Sequence, residues 1–587
     1  MPLFVEELTK TVLESGELRE IEAAYELKGP LSKLAIPATL HDSLMARLDR
    51  LQPIKEVAQT AACIGRQFEY PLIESISPLD GMALQDALEQ LVGAELIFRR
   101  GVVPEATYTF KHALVRDAAY ESLLKSRRQA IHAKLVDALG ADGKAPPELI
   151  AHHATEAGLK EQAVELWQRA GTTAMAQPAY EEAASHLNSA IDLIARMDNP
   201  EAWRERELEL LVQLAQILIA KFGYVSEAAN KTFKRAAAMI DVTRNMELRV
   251  AIYYGMWIGP YLRAEHEACL ELTAGFVDEV DRQDADIPRI IAHRMRSATL
   301  IALGRPTEAL DHLKVSFSLY EQDRTSDFAS RFAQEPGVQI KCYQLLALWM
   351  TGQVDQALAV AAQATATARE LRHANTICYA ALHHGVLAMF CRDDELLKPI
   401  NDEGLSVATE HGMSLWITWG AFGDELLKSR MGDEAAMDRL EAALDDFTSK
   451  GVRLWMTFYK AEQAKEFLRL GQITQASDAV QSGLKYVATT GERWTEAELY
   501  RVEGEVHLAR SKPEDADASF ERALDIARGQ GARSLELRAA ISRARLWGER
   551  GERSKASDLL QPLYEWFTEG FDTPDLKDAR ELLDDLD

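Results

Sequence analysis

An alanine returns every forty residues in the last third of the chain, at Ala436, Ala476, Ala516 and Ala556. Four residues after each stands a large apolar side chain: Leu440, Val480, Phe520 and Leu560. Three further on the residue is small again at Ala443, Gly483 and Ala523, and the series breaks only at Leu563. Spacings of three and four put these positions on one face of a helix. Small residues let two helix backbones approach to roughly 8–10 Å, and the large residue fills the gap to the next pair. One such pair cannot bury its own face, so a phased series of this kind dictates a stack of helical hairpins.

The series extends upstream through Leu396, Ala357, Ala309, Ala268, Ala229 and Ala183, at steps of 40, 39, 48, 41, 39 and 46, which makes ten candidate repeats. In "WQRAGTTAMAQPAYEEAASHLNSA" the residues Trp167, Ala170, Gly171, Ala174, Ala183, Leu187 and Ala190 fall at the offsets of the 34-residue tetratricopeptide motif, which the segment resembles. "YRVEGEVHLARSKPEDADASFERA" repeats the pattern with Tyr500, Gly504, Phe520 and Ala523. The stack is expected to curve into a solenoid with an inner groove, and the longest step, around "RTSDFASRFAQEPG", reads as a loop insertion.

The first 140 residues do not share this period. Helical patterns in "IPATLHDSLMARLDRL", "QPIKEVAQTAACIG", "YPLIESIS" and "DGMALQDALEQLVGA" precede two strand-like runs, "LIFRR" and "TYTF", around Gly101 and Pro104. Helices followed by a small hairpin predict a winged helix. A last long helix, "HALVRDAAYESLLKSRRQAIHAKLVDAL", leads through "GADGKAPPE" into the repeats.

At 587 residues, 47% hydrophobic, with a formal net charge of -26, the chain describes a folded acidic protein. That charge disfavours generic binding to nucleic acid or anionic membrane. Five scattered cysteines (Cys63, Cys269, Cys342, Cys378, Cys391) form no CxxC pair and read as buried apolar residues of a reducing compartment. No apolar run approaches the roughly eighteen residues of a membrane span. A cytoplasmic location is expected.

Motifs for chemistry are sparse. The sole Gly-Lys, Gly143-Lys144, is followed by Ala145 in a Pro-containing linker, so no phosphate-cradling loop is formed. There is no G-x-S-x-G elbow and no H-E-x-x-H. The pairs His152-His153 and His383-His384 stand about 100° apart on a helix and favour packing over a shared metal. From Arg99 to Lys134 eight basic residues face three acids, a local balance of +5 that motivates a DNA-binding alternative, a winged-helix transcriptional regulator with the repeats as effector domain. The helix that would enter a groove carries Asp80, Asp86 and Glu89, with Glu95 just beyond, and no Lys or Arg, the wrong sign for DNA.

Several segments carry a wider resemblance. "PLFVEELTKTVLESG", "YELKGPLSKLAIPATLHDSLMARLDRL", "YTFKHALVRDAAYESLLKSRRQAIHAKL" and "YEWFTEGFDTPDLKDARELLDDL" look like the C-terminal two-thirds of large bacterial proteins. Those proteins join a class III adenylate/guanylate cyclase, a STAND-type ATPase and tetratricopeptide-like repeats. The resemblance implies an ADP-holding lid that begins Gly-x-Pro-Leu, of which Pro2-Leu3 matches the second half, and a winged-helix Met-His-Asp motif, of which "KHALVRDAAY" places His112 at the diphosphate-sensing histidine and Ala113 at the acid. It also implies that the chain begins inside that lid, after the cyclase and P-loop parts, so that ATP or ADP is bound only if a P-loop domain is supplied.

The expected fold is predominantly all-α: a lid remnant at 1–36, a winged-helix-like domain with a small β-hairpin at 37–140, a linker and first repeat helix at 141–160, and about ten tetratricopeptide-like repeats with a C-terminal cap at 161–587. Repeat packing is assigned to Trp167, Gly171, Ala183, Leu187, Ala190, Ala436, Ala476, Ala516, Phe520, Ala523 and Ala556. The expected role is non-catalytic: the array binds a protein or peptide in its groove, and a cyclase/ATPase half joins in trans. Neither DNA nor membrane is an expected partner, and no metal site is expected.

Overall fold

A computed structural model describes residues 18–21, 24–27, 44–45, 47–49, 54–283, 285–322 and 334–586. Contacts divide the chain into two compact units, residues 1–217 and 218–587.

In the first unit β1 (Leu18–Ile21) pairs antiparallel with β2 (Ala24–Leu27). A second group follows as α1 (Lys55–Ile64), β3 (Gln67–Glu69), α2 (Tyr70–Ile76), α3 (Gly81–Gly93), β4 (Ile97–Arg100) and β5 (Thr107–Phe110). The sheet order is β3-β5-β4, antiparallel throughout, with Phe68 opposite Tyr108 and Ile97 opposite Phe110. Alternation along β5 sends Tyr108 and Phe110 inward, where Phe68 stacks on Tyr108 at 5.5 Å, against Leu84, Leu88 and Leu91 of α3. The Asp80 side chain caps α3 by accepting from the Ala83 N–H at 3.0 Å. β3 is three residues long, too short to show a period, so the sequence pattern registers only β4 and β5.

The long helix expected after β5 is two, α4 (Ala113–Glu121) and α5 (Lys125–Asp142). Leu124 is extended (φ -61°, ψ 144°), and the Ser122 hydroxyl donates to the Ala119 carbonyl while accepting from Gln59, which fixes the break. The stretch expected as linker and first repeat helix holds α6 (Pro147–Ala157), and α7 (Lys160–Ala176) and α8 (Tyr180–Ile194) follow. α9 (Arg204–Phe222) carries the chain into the second unit.

There α10 (Glu227–Ala237) precedes eight hairpins: α11 (Met246–Leu262) and α12 (His266–Val280), α13 (Asp286–Ala302) and α14 (Pro306–Gln322), α15 (Pro336–Met350) and α16 (Val354–Leu371), α17 (Ala374–Phe390) and α18 (Asp394–Glu410), α19 (Ser414–Arg430) and α20 (Ala436–Ser449), α21 (Met456–Arg469) and α22 (Ile473–Thr490), α23 (Glu496–Ala509) and α24 (Pro513–Gln530), α25 (Arg533–Glu549) and α26 (Arg553–Trp566). A last helix, α27 (Pro574–Leu586), ends the unit. The hairpins pack as the small-and-large pattern requires. A Cβ on Gly504 of α23 would stand 2.3 Å from Phe520 of α24, and one on Gly483 of α22 would stand 2.6 Å from Leu499 of α23. Two positions of the forty-residue series shift by one residue: Ala268 is exposed and Leu396 half-buried, while Cys269 and Leu397 occupy the packed sites. With that correction the steps 229 to 269, 269 to 309 and 357 to 397 are all forty.

The first helices of the hairpins are also buried on the side away from their partners. Thirteen of the fifteen residues of α15 are buried and thirteen of the seventeen of α17, so an amphipathic stripe is not enough to describe them. What covers them comes from far along the chain. The Arg453 N–H donates to the Leu262 carbonyl at 2.8 Å, and the Arg493 N–H to the Ala302 carbonyl at 2.8 Å. Ser534 Oγ donates to the Trp349 carbonyl at 2.5 Å, and Arg538 to the Phe390 carbonyl. Carbonyls at the ends of α11, α13, α15 and α17 thus accept hydrogen bonds from segments far along the chain. Within residues 218–587, later segments meet the ends of the first helices of earlier hairpins. The glycine turns permit the close approach. Gly352 (φ +95°) would, with a Cβ, meet Trp566 at 2.8 Å.

Candidate functional site

Residue Pro2 lies outside the described residues. His112 is the residue before α4, half-buried, in an extended conformation; its side chain makes no capping bond and its Nε2 has no hydrogen-bond partner. Trp167 stacks on His186 at 5.2 Å and donates through Nε1 to Thr155 Oγ1 at 3.0 Å. Gly171 faces Leu187, where a Cβ would stand 2.8 Å away, and Ala183 and Ala190 are fully buried beside it. Ala436, Ala476, Ala516, Phe520, Ala523 and Ala556 are each fully buried in the second unit.

The basic run is largely occupied. Arg99 pairs with Glu89, Lys111 with Glu95 at 3.1 Å, Arg116 with Asp117, and Arg127 with Glu56 at 3.4 Å, while Arg128 lies over the Tyr120 ring at 5.0 Å.

His152 and His153 both lie against the ring of His132, with ring centres 6.4 and 5.1 Å away, whereas His383 and His384 have different hydrogen-bond partners. His153 Nδ1 lies 3.0 Å from Nδ1 of His132 on α5, and His132 Nε2 lies 3.1 Å from the Tyr120 hydroxyl. That hydroxyl donates to Glu156, so the direction of the chain follows: His132 Nε2–H donates to Tyr120, and His153 Nδ1–H donates to His132. Burial pushes both histidines down to about 4 and keeps them neutral, and it pushes the Tyr120 phenol up to about 12. His383 is wholly buried with Nδ1 donating to the Tyr379 carbonyl, and His384 Nδ1 lies 2.9 Å from Thr365 Oγ1. Among the described residues no group of three His, Cys, Asp or Glu side chains is placed to hold a metal. The five cysteines are buried free thiols.

The feature that sequence reasoning missed lies in the second unit. Residues of α11 (Tyr254, Trp257, Tyr261), α13 (Arg294), α15 (Tyr343), α17 (Tyr379, His383) and α19 (Trp416, Trp419), joined by Trp455 just before α21, line one cleft of about 530 Å³, its open mouth included. Five successive first helices therefore share one set of walls. The rings are tightly arranged: Trp257 stacks on Tyr261 at 4.5 Å, Tyr379 on His383 at 4.4 Å, and Trp416 lies 4.9 Å from Trp419. Trp455 has φ +63°, left-handed and rare for so bulky a residue. Glu492 holds it there, one carboxylate oxygen accepting the Trp455 N–H at 2.7 Å and the other the Thr457 N–H at 3.0 Å.

Arg294 is the sole charged lining residue of the cleft among the described residues. It is 2% exposed, its guanidinium lies 5.3 Å from the Trp257 ring centre and 5.7 Å from that of Tyr254, and its Nε has no hydrogen-bond partner. No Asp or Glu among the described residues lines the cleft. Burial raises the Tyr254, Tyr343 and Tyr379 phenols, keeping them neutral donors, and lowers His383 to about 4. The signal available beforehand was the recurrence of Trp and Tyr on successive first helices, where an open groove would carry polar residues.

No family model matches the chain. A relative from Rhizobium meliloti (strain 1021), the uncharacterized protein R02095, is 27% identical over 564 residues, covering 92% of this chain and 53% of the relative. The chain spans about half the length of that curated relative. Among solved structures, the Rap protein complexed with competence and sporulation factor aligns at 11% identity over 63% of this chain and 99% of that one, with a TM-score of 0.46. The Cut9 and Hcn1 hetero-tetramer of APC/C aligns at 11% identity, 93% and 96% coverage and a TM-score of 0.40. A STAND protein with a tetratricopeptide repeat sensor from Pyrococcus horikoshii gives 13% identity, 94% and 68% coverage and a TM-score of 0.27. The assignment of an all-α, tetratricopeptide-like helical-repeat fold rests on the hairpins themselves. No helix among the described residues is long and apolar enough to cross a membrane.

Proposed function

We propose that the chain is the non-catalytic sensor and interaction part of a cytoplasmic signalling protein of the cyclase/STAND ATPase kind, in which the repeat array receives a ligand or partner. One observation carries this reading: five successive first helices and the turn before α21 wall a single cleft, so one occupant touches most of the winding at once. Occupancy is then coupled to how tightly the array closes, which is what a sensor needs.

The element order α1-β3-α2-α3-β4-β5, with its antiparallel sheet β3-β5-β4, supports reading 37–140 as a winged helix, and the unpartnered Nε2 of His112 before α4 supports reading that residue as nucleotide-facing. With Pro2, it is assigned as a vestigial nucleotide contact, used only when a P-loop half is supplied in trans. Five buried free thiols support a reducing compartment. The DNA-binding alternative is disfavoured by the pairing of Arg99 and Lys111 with Glu89 and Glu95 beside α3.

Equilibrium dialysis of the full chain against ATP and ADP with Mg²⁺ tests this reading. No retention is expected, and retention at micromolar nucleotide overturns the non-catalytic assignment.

A further inference from the structure

We propose that the cleft binds a small molecule with an apolar, ring-bearing body and one anionic group, a carboxylate or phosphate, held by Arg294. The inference names the ligand chemistry of the sensor proposed above and rests on that reading.

Three arginines are buried among the described residues. Arg538 is satisfied by Asp575 at 2.8 Å, and Arg47 donates to the Ala94 carbonyl at 2.7 Å. Arg294 alone meets rings in place of a carboxylate or carbonyl. A desolvated guanidinium with no counter-charge destabilises the fold that holds it, and ring faces compensate only in part. Such a residue is retained where it serves a site, at the expense of stability.

The surroundings select an anion. With the tyrosines and His383 neutral and no acid in the lining among the described residues, Arg294 is the charge that those residues bring to the cleft, in a chain whose formal charge is -26. Guanidinium presents a planar fork suited to carboxylate or phosphate oxygens. The phenols of Tyr343 and Tyr379 line the same cleft as further donors, Tyr343 currently donating to Tyr261 at 3.3 Å. Trp257, Trp416, Trp419 and Trp455 supply the apolar walls, and Trp419 Nε1 has no hydrogen-bond partner. The room for water-sized molecules within the cleft is about 50 Å³, so a ring-bearing ligand enters only as the walls part, which couples its binding to the winding of the array.

The test uses the full chain with phenylacetate, phenyl phosphate and the uncharged 2-phenylethanol, read by tryptophan fluorescence and by Tm. Phenylacetate or phenyl phosphate is expected to bind and to raise Tm, with 2-phenylethanol about 10- to 100-fold weaker; the tighter of the two anions identifies the head group. Arg294→Met is expected to abolish the preference for the anion while leaving Tm equal or higher, the opposite of a structural arginine. Arg294→Lys keeps the charge without the fork and lowers anion affinity while leaving 2-phenylethanol binding unchanged, which gives a readout even if the methionine variant misfolds. Equal binding of anion and alcohol, no binding of any probe, or unchanged anion affinity in Arg294→Lys each overturns the anion site and leaves the sensor reading standing. Retention of ATP or ADP in the dialysis overturns the sensor reading and leaves the anion site standing.

Discussion

Replacing Gly504 by alanine tests the packing of the hairpins at one atom. The added Cβ would stand 2.3, 2.6 and 2.9 Å from three carbons of the Phe520 ring, well inside contact distance. Phe520 is fully buried on α24 between Ala516 and Ala523, both also fully buried, so the ring has nowhere to move without displacing a neighbouring helix. Overpacking of this kind costs about 1–3 kcal/mol, against which alanine recovers about 0.5–1 kcal/mol of helix propensity. The net expectation is a loss of about 1–2 kcal/mol. Gly529, near the end of the same α24, is the control: nothing lies within 4 Å of its Cβ position, so Gly529→Ala is expected to be neutral or to gain up to about 0.5 kcal/mol. Because long arrays do not unfold in one step, the readout is hydrogen exchange within 496–530. Phe520→Ala in the Gly504→Ala background is expected to remove the clash, so that the two losses do not add. Unchanged exchange in Gly504→Ala refutes the packing argument.

Three further outcomes are expected. Ala268→Ser on the exposed face of α12 changes local stability by less than about 0.5 kcal/mol, whereas Cys269→Asp at the packed position costs at least about 2 kcal/mol, which hydrogen exchange within 246–280 distinguishes. His132 and His153 are held near 4 when folded and titrate near 6.5 when unfolded, so the unfolded state binds more protons between those values; stability is full above pH 6.5 and falls as pH drops toward 4. Across that window each contributes up to about 1.4 kcal/mol per pH unit, and His153→Gln, which leaves Arg128, His152 and Glu156 around the site, is expected to flatten the profile of urea midpoints by up to that slope. Gly352→Ala strains a φ of +95° and drives a Cβ into Trp566; faster hydrogen exchange in α26 and α27 is the expected result.

The hairpin period was legible because it is a size constraint. Gly504 against Phe520 and Gly171 against Leu187 admit few substitutes, so Ala, Gly and a large partner recur at fixed offsets. The one-residue slips at Ala268 and Leu396 arose where the adjacent residue, Cys269 or Leu397, fits the packed site equally well. The break at Ser122–Leu124 follows from side-chain hydrogen bonds to α1 and α4, which helical periodicity does not encode. The cleft was not legible. Its walls meet because carbonyls at 262 and 302 are capped from 453 and 493, closures some 190 residues apart that no local pattern specifies. No local pattern marks Arg294 as a residue that ends 2% exposed.

The central claim is that one occupant of the cleft engages five hairpins together, and hydrogen exchange of the full chain with and without saturating phenylacetate tests it most directly. The account predicts simultaneous protection in α11, α13, α15, α17, α19 and the 453–457 turn. Protection confined to a single hairpin, or none at concentrations where tryptophan fluorescence shows phenylacetate bound, contradicts it.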